Sequence, residues 1–213
     1  MFFSLYRVSI SILLFYLIIC VNFISTKAYC NPKVALFGDS LMSGYGLNKE
    51  FHLSTVLEKN LKNQGFDVKI INASVSGDTT TGGLNRLNWL LENTEIDIVI
   101  LCLGANDMLR GTNPDLIKQN LNKILELLNK RNIKILLAGM LSQGTYGEKY
   151  KKSFDEIYPE LTKKHKVAFV PFLLKGVALN PSYNLDDGKH PNPEGVKLIS
   201  KNLEKKLINL LLN

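Results

Sequence analysis

Ser40 stands in the middle of Val34 to Gly46, VALFGDSLMSGYG. Four apolar residues, Val34 to Phe37, predict a short buried strand that Gly38 interrupts and Asp39-Ser40 close. In open α/β sheets, ligands bind outside the carboxyl ends of the strands, near a switch in strand order. A serine at such a position can direct both its hydroxyl and its N–H into a cleft. The same residues also serve as an ordinary strand stop and turn, so Ser40 by itself does not decide between the two. A serine that attacks a carbonyl needs a base, and the base needs an orienting acid. The chain has three histidines. His52 opens a predicted helix. His165, in Lys-Lys-His-Lys, reads as a solvated cation near a helix C-terminus. His190 lies in Asp186-Asp187-Gly188-Lys189-His190-Pro191, where Asp187 can reach back to the imidazole across a glycine-assisted turn. The alternative for His190 is an exposed side chain in a polar helix-entry loop. Acyl transfer further requires donors aimed at the developing oxyanion. Gly77, in Ser76-Gly77-Asp78, can bring a bare N–H close to a ligand, or it is a turn glycine. Asn106 can supply a side-chain amide, or it closes an Asx-type turn on its own backbone. All of these stretches follow predicted strands or lie on the last loop.

The elements that must position them alternate between strand and helix. A helix over Phe51 to Asn63 places Leu53, Val56, Leu57 and Leu61 on one face and is closed by Gly65. Val68 to Ile71 is a second strand, followed by the loop NASVSGDTTT, Asn72 to Thr81. Leu84, Leu87, Leu90 and Leu91 mark the next helix, with Trp89 at its edge. Asp97 to Leu103 is the most apolar strand and runs into Gly104-Ala105-Asn106-Asp107, which reads as a loop. Pro114 opens a helix at a favourable first-turn position, with Ile117, Leu121, Ile124, Leu125 and Leu128 on its apolar face. Ile133 to Ala138 is a fourth strand. A single helix over residues 148–165 and a short strand, Ala168 to Val170, follow. Residues 171–191 read as irregular and Pro193 to Leu212 as the closing helix. This alternation predicts a mostly parallel sheet with helices on both faces and right-handed crossovers. The loops after the first three strands then share one edge. Leu109, Leu141, Phe172, Leu173, Val177 and Leu179 are expected on the cleft rim, where they either favour an alkyl chain or simply pack beneath long loops.

Length and charge bound the possibilities. Of 213 residues, the first 28 read as a leader. Arg7 precedes the apolar stretch Val8 to Ile24, broken only by Ser9, Ser11 and Asn22, and Thr26-Lys27-Ala28 offers a small-residue cleavage site. The run is slightly short for a membrane span of about 20 apolar residues, so a cleaved signal peptide is expected ahead of a retained N-terminal anchor. A lipoprotein signal does not fit, because Tyr29 precedes Cys30. Residues 29–213 suit one domain with one core. Setting aside Arg7 and Lys27, 24 basic side chains face 19 acidic ones, a net +5. Most lie on predicted helix faces, and no basic run with interleaved aromatics suggests nucleic-acid binding. Contact with an anionic membrane surface stays open, with no patch to carry it. Cys102 sits in an apolar run and reads as a buried small hydrophobe. A disulfide with Cys30 is disfavoured, and no Cys/His cluster suggests zinc.

Taken together, GDSL with Ser40, SGDT with Gly77, GAND with Asn106, and DxxHP with Asp187 and His190 resemble, in order, the four blocks of the SGNH (GDSL) hydrolases. The likeness runs from Lys33 to the C-terminus and includes INASVSGDT, GANDMLRG, YGEKY, IYPEL and DDGKHPN. It is nearest to the bacterial periplasmic thioesterase I, lysophospholipase and arylesterase group. The resemblance implies a three-layer α/β/α, flavodoxin-like fold with a five-stranded parallel sheet, and no cofactor or metal. It implies Ser40 as nucleophile, His190 as general base and Asp187 as its orienter. The implied oxyanion donors are the N–H groups of Ser40 and Gly77 and the Asn106 amide. Ala105 stands where a second glycine is common. The Gly-x-Ser-x-Gly elbow of α/β-hydrolases is absent around Ser40.

The expected function is a periplasmic or secreted hydrolase of small-molecule acyl esters or thioesters, some of them lipid-derived. A carbohydrate O-deacetylase would use the same triad. Two other classes remain: a metal-dependent phosphoesterase holding its ion on Asp39, Asp107, Asp187 and His190, and a non-catalytic envelope binding protein. The sequence leaves the oligomeric state open.

Overall fold

The computed structural model describes residues 31–213. The leader, Cys20, Cys30 and any disulfide between Cys30 and Cys102 lie outside the described residues. Five strands, β1 (Lys33–Gly38), β2 (Lys69–Asn72), β3 (Ile98–Cys102), β4 (Lys134–Ala138) and β5 (Ala168–Val170), form one sheet in the order β2-β1-β3-β4-β5. Every pairing is parallel. This is the expected doubly wound, flavodoxin-like arrangement, and its strand order reverses between β1 and β3. The described helices are α1 (Ser40–Ser43), α2 (Leu53–Asn63), α3 (Thr80–Asn93), α4 (Ala105–Leu109), α5 (Pro114–Lys130), α6 (Gly147–Asp155), α7 (Ile157–His165) and α8 (Pro193–Leu212). Helices α2 and α8 pack together in one layer, and α3, α5 and α7 in the other.

The central strands are apolar because both of their faces are covered. Val34 to Gly38 and all of β3 are buried. Their register sets Leu36 beside Ile100 and Gly38 beside Cys102. A Cβ on Gly38 would come within 2.6 Å of the Cys102 carbonyl oxygen and 2.7 Å of the Met42 sulfur. The glycine therefore lets β1 run against β3 up to the point where the chain turns into α1. That close approach fixes where Asp39 and Ser40 emerge. Helix α5 is capped by Asn113, whose side chain accepts from the Asp115 N–H, with Pro114 in the first turn. Its apolar residues Ile117, Leu121, Ile124, Leu125 and Leu128 are all buried.

Three local expectations change. The single helix over 148–165 is two, α6 and α7, separated at Glu156. Pro159 explains the break, because its ring would clash with the carbonyl four residues earlier, whereas the first turn of a new helix accommodates it. Asn106 stands in the first turn of α4 rather than in a loop. Helix α3 begins at Thr80, earlier than its leucines suggest, because Thr79 accepts from the Gly82 N–H and caps it. Residues 171–191 hold a 3-10 turn, Pro181–Tyr183, and an antiparallel bridge between Asn184 and Pro191. The Asn184 amide donates to the carbonyls of Val177 and Asn180 at 2.7 and 2.8 Å. The Leu185 N–H donates to the His190 carbonyl at 2.8 Å. This segment is thereby pinned where it crosses the carboxyl edge of the sheet.

Candidate active site

Ser40 is the first residue of α1, and Asp39 caps that turn by accepting from the Leu41 N–H at 3.0 Å. The Ser40 N–H lies at the start of the turn, where helical N–H groups have no partner within the helix. His190 approaches from the segment before α8. Its Nε2 is 2.9 Å from Ser40 Oγ, and its Nδ1 is 2.6 Å from Asp187 Oδ2. The other Asp187 oxygen accepts from the N–H groups of Lys189 and His190 at 2.8 and 3.0 Å. Asp187 thus caps its own turn while facing the imidazole. The imidazole and backbone hydrogen bonds hold its carboxyl well below the usual carboxylate range, although the side chain is 39% exposed. An ionised Asp187 can accept a hydrogen bond from Nδ1–H, the arrangement in which Nε2 carries no proton and faces Ser40 Oγ. Tyr45 lies against the other side of His190, with ring centroids 4.3 Å apart.

Gly77 sits in a turn closed by the Asp78 N–H on the Val75 carbonyl, with φ +81°. That value is in the left-handed region, which a side chain would strain. Arg110 donates to the Gly77 carbonyl at 3.1 Å. The Asn106 amide donates to the Asp78 carbonyl at 2.9 Å and faces Asp39 Oδ2 at 3.3 Å. The side chain therefore bonds across to neighbouring segments rather than closing an Asx turn. All five residues singled out in the sequence come to one edge of the sheet.

Asp39 is fully buried. Burial pushes its carboxyl up to about 6, against the downward pull of the Leu41 N–H and of His190. Asp107 is equally buried but accepts from both the N–H and the hydroxyl of Thr80, at 2.8 and 2.7 Å. It ties α4 to the start of α3. Among the described residues no three His, Cys, Asp or Glu side chains are grouped to hold an ion. Cys102 is a free, buried cysteine whose thiol is pushed well up by burial, so it offers no rival nucleophile. His52 contacts the Leu47 carbonyl at 3.1 Å. His165 is not the solvated cation expected. It faces Asn122 at 2.8 Å, and burial with the nearby Lys164 lowers its pKa.

A cavity of about 280 Å³ opens beside Ser40 and His190. Met108, Leu109, Met140, Leu174, Ala178 and Leu179 give it an apolar wall. Of the expected rim residues, only Leu109 and Leu179 line it. Leu173 and Val177 are fully buried in the core, Phe172 packs against the core, and Leu141 is exposed away from the wall. Irregular segments give no periodicity from which to tell a core residue from a rim residue, and the two methionines carried no signal beyond apolarity. Asp39 was singled out beside Ser40 and as a candidate metal ligand, whereas Tyr45 was missed as a neighbour of the site. Tyr45 has no sequence signal at all.

The fold and this edge cluster define an ester hydrolase of the three-layer α/β type. The chain belongs to the GDSL-like lipase/acylhydrolase family, whose model matches residues 36–198. It is 36% identical to an arylesterase of Vibrio mimicus over 188 residues, 88% of this chain and 94% of the relative. It is 34% identical to thioesterase 1/protease 1/lysophospholipase L1 of Escherichia coli K12 over 181 residues, 85% of this chain and 86% of that one. Among solved structures it resembles the psychrotrophic esterase EstA of Pseudoalteromonas sp. The TM-score is 0.81 at 28% identity, covering 86% of this chain and all of the other. The chain is thus a hydrolase acting on ester bonds of small molecules.

Asp39 makes stability depend on pH with a definite sign. A carboxyl whose pKa rises from 3.8 to about 6 on folding holds its proton more tightly in the native state. Stability is untouched below the unfolded value and falls as pH rises through the folded one, by about 3 kcal/mol for this shift. Asp39→Asn removes that titration. Its unfolding free energy, from urea curves at pH ~4 to ~6.5, is expected to decline less steeply than the parent's by up to about that amount. Parallel profiles would show that Asp39 titrates normally.

Proposed function

We propose that the chain hydrolyses acyl esters and thioesters through an acyl-enzyme on Ser40. The observation that carries this reading is the unbroken series Asp187–His190–Ser40, 2.6 and 2.9 Å, beside an apolar cavity. Ser40 Oγ bonds to the substrate carbonyl carbon as its proton passes to His190 Nε2. The carbonyl oxygen takes the negative charge and is met by the N–H groups of Ser40 and Gly77 and by the Asn106 amide, which keeps its bond to the Asp78 carbonyl and gives up the longer 3.3 Å one to Asp39. The C–O or C–S bond then breaks, and His190 returns the proton to the departing alcohol or thiol. Water gives a proton to His190 as its oxygen adds to the acyl carbon; the bond to Ser40 Oγ then breaks, the proton returns from His190 to Oγ, and the acid leaves. Asp187 stays ionised and holds the imidazole in the tautomer the cycle needs.

The acyl chain is assigned to the cavity walled by Leu109, Met140 and Leu179. Its apolar surface favours an alkyl chain over the acetyl group of a sugar, which counts against the O-deacetylase reading. The bonded triad counts against a purely binding role. The likeness to a thioesterase and to EstA, whose structure is described as inhibited by monoethylphosphonate, supports a carbonyl-directed serine. Residues 1–28 are proposed as a signal peptide leading residues 29–213 to the periplasm or exterior. No helix of the described residues is long and apolar enough to cross a membrane.

A series of p-nitrophenyl esters and acyl-thioesters of rising chain length tests the substrate. kcat/KM should climb severalfold per methylene while the cavity fills, since each buried methylene is worth about 0.8 kcal/mol. Activity confined to acetylated sugars would transfer the assignment to O-deacetylation. The leader is tested by sequencing the N-terminus of the protein made from the full gene. A start near Tyr29 in the periplasmic or culture fraction is expected, and an intact start in the cytosol contradicts it.

A further inference from the structure

Arg86 lies in the second turn of α3, and nothing in its sequence context marks it. Its guanidinium makes three hydrogen bonds, each to a different part of the site's framework. Nε donates to Asp78 Oδ2 at 2.7 Å, one terminal nitrogen to the Ala73 carbonyl at 2.6 Å, and the other to the Gly38 carbonyl at 3.2 Å. The guanidinium carbon stands 3.9 Å from the centre of the Phe37 ring. The arginine and Asp78 side chains are 24% and 9% exposed. This is no surface ion pair of the kind that contributes little.

Two of the three acceptors, Gly38 and Asp78, adjoin a proposed oxyanion donor, and Ala73 opens the segment that leads to Gly77. Gly38 is two residues before Ser40, and its carbonyl also receives the Val75 N–H at 3.0 Å. Asp78 follows Gly77 directly. The Asp78 carbonyl is the 2.9 Å acceptor of the Asn106 amide. One rigid, planar group thus spaces the end of β1, the Gly77 turn and the anchor of Asn106. It also neutralises the Asp78 carboxylate, a charge that would oppose the developing oxyanion. We infer that Arg86 is the positioning residue of the oxyanion hole, holding the three donors in register through Gly38, Ala73 and Asp78. The inference rests on the oxyanion roles proposed above.

Lysine carries the same charge, but its three donors radiate from one compact nitrogen without the planar fork, so it cannot reach three acceptors fixed around a guanidinium. Donors displaced by a fraction of an ångström lose transition-state binding while substrate binding persists. Arg86→Lys is therefore expected to fold, to lower kcat by about 10- to 100-fold, and to leave KM within about twofold. Asn106→Ala alone should lower kcat by about 10²–10³. In the double variant Arg86→Lys/Asn106→Ala, the arginine change should cost much less than it does in the parent, because part of its effect runs through Asn106. If Arg86→Lys fails to fold, Asp78→Asn, which alters the other end of the 2.7 Å bond at constant volume, provides the same comparison. Parent-like kcat in the folded variant, a rise in KM alone, or losses that multiply in the double variant would overturn the inference. An unchanged kcat in Asn106→Ala would instead remove the oxyanion reading beneath it.

Discussion

The hydrogen bond between His190 Nε2 and Ser40 Oγ joins residues 150 positions apart in the chain. Nothing local can make it. It requires β1 to end where Gly38 permits close approach to Cys102, and α1 to start immediately afterwards. It also requires residues 171–191 to be drawn across the carboxyl edge and tied by Asn184 before α8 begins. Helix α8 is in turn fixed by its Asn192 cap, which accepts from the N–H groups of Glu194 and Gly195 at 3.0 Å. The buried sheet supplies the rigidity, and the loops supply the chemistry, the usual division of labour in such folds.

Two aspartates near Ser40 show how environment assigns roles to identical groups. Asp39 is desolvated and lifted to about 6, while Asp187 is hydrogen-bonded three times and held low. The group next to the histidine keeps its charge, as the orienting role proposed for it requires. The group beneath the serine carries the cost of burial, offset in part by the Leu41 N–H and by His190. Arg86 deals with a third carboxylate, Asp78, by direct pairing rather than by burial alone.

The fold was legible because its strands are short, continuous apolar runs separated by helices with clear faces. Both β5 and α8 fall where their residues indicate. Ser40, Gly77 and Asn106 were legible because each follows a strand of a parallel sheet, and Asp187 and His190 because they sit three residues apart in the loop before α8. What stayed hidden depends on through-space partners. The break at Glu156 follows from the steric demand of Pro159, which a face of apolar residues masks. The cavity wall draws on Met108 and Met140, whereas Leu173 and Val177, alike in sequence, turn into the core. Arg86 was invisible because its partners are two carbonyl oxygens and a loop carboxylate, and carbonyl acceptors carry no side-chain signature.

The central claim is that Ser40 and His190 share one proton-transfer step in ester hydrolysis. Single variants Ser40→Ala and His190→Ala, and the double variant, measured side by side on one p-nitrophenyl ester, address it most directly. Members of a triad act as a unit, so the double variant should be about as active as either single one. Losses that multiply in the double variant would show that the two side chains act in separate steps, and the triad would have to be given up.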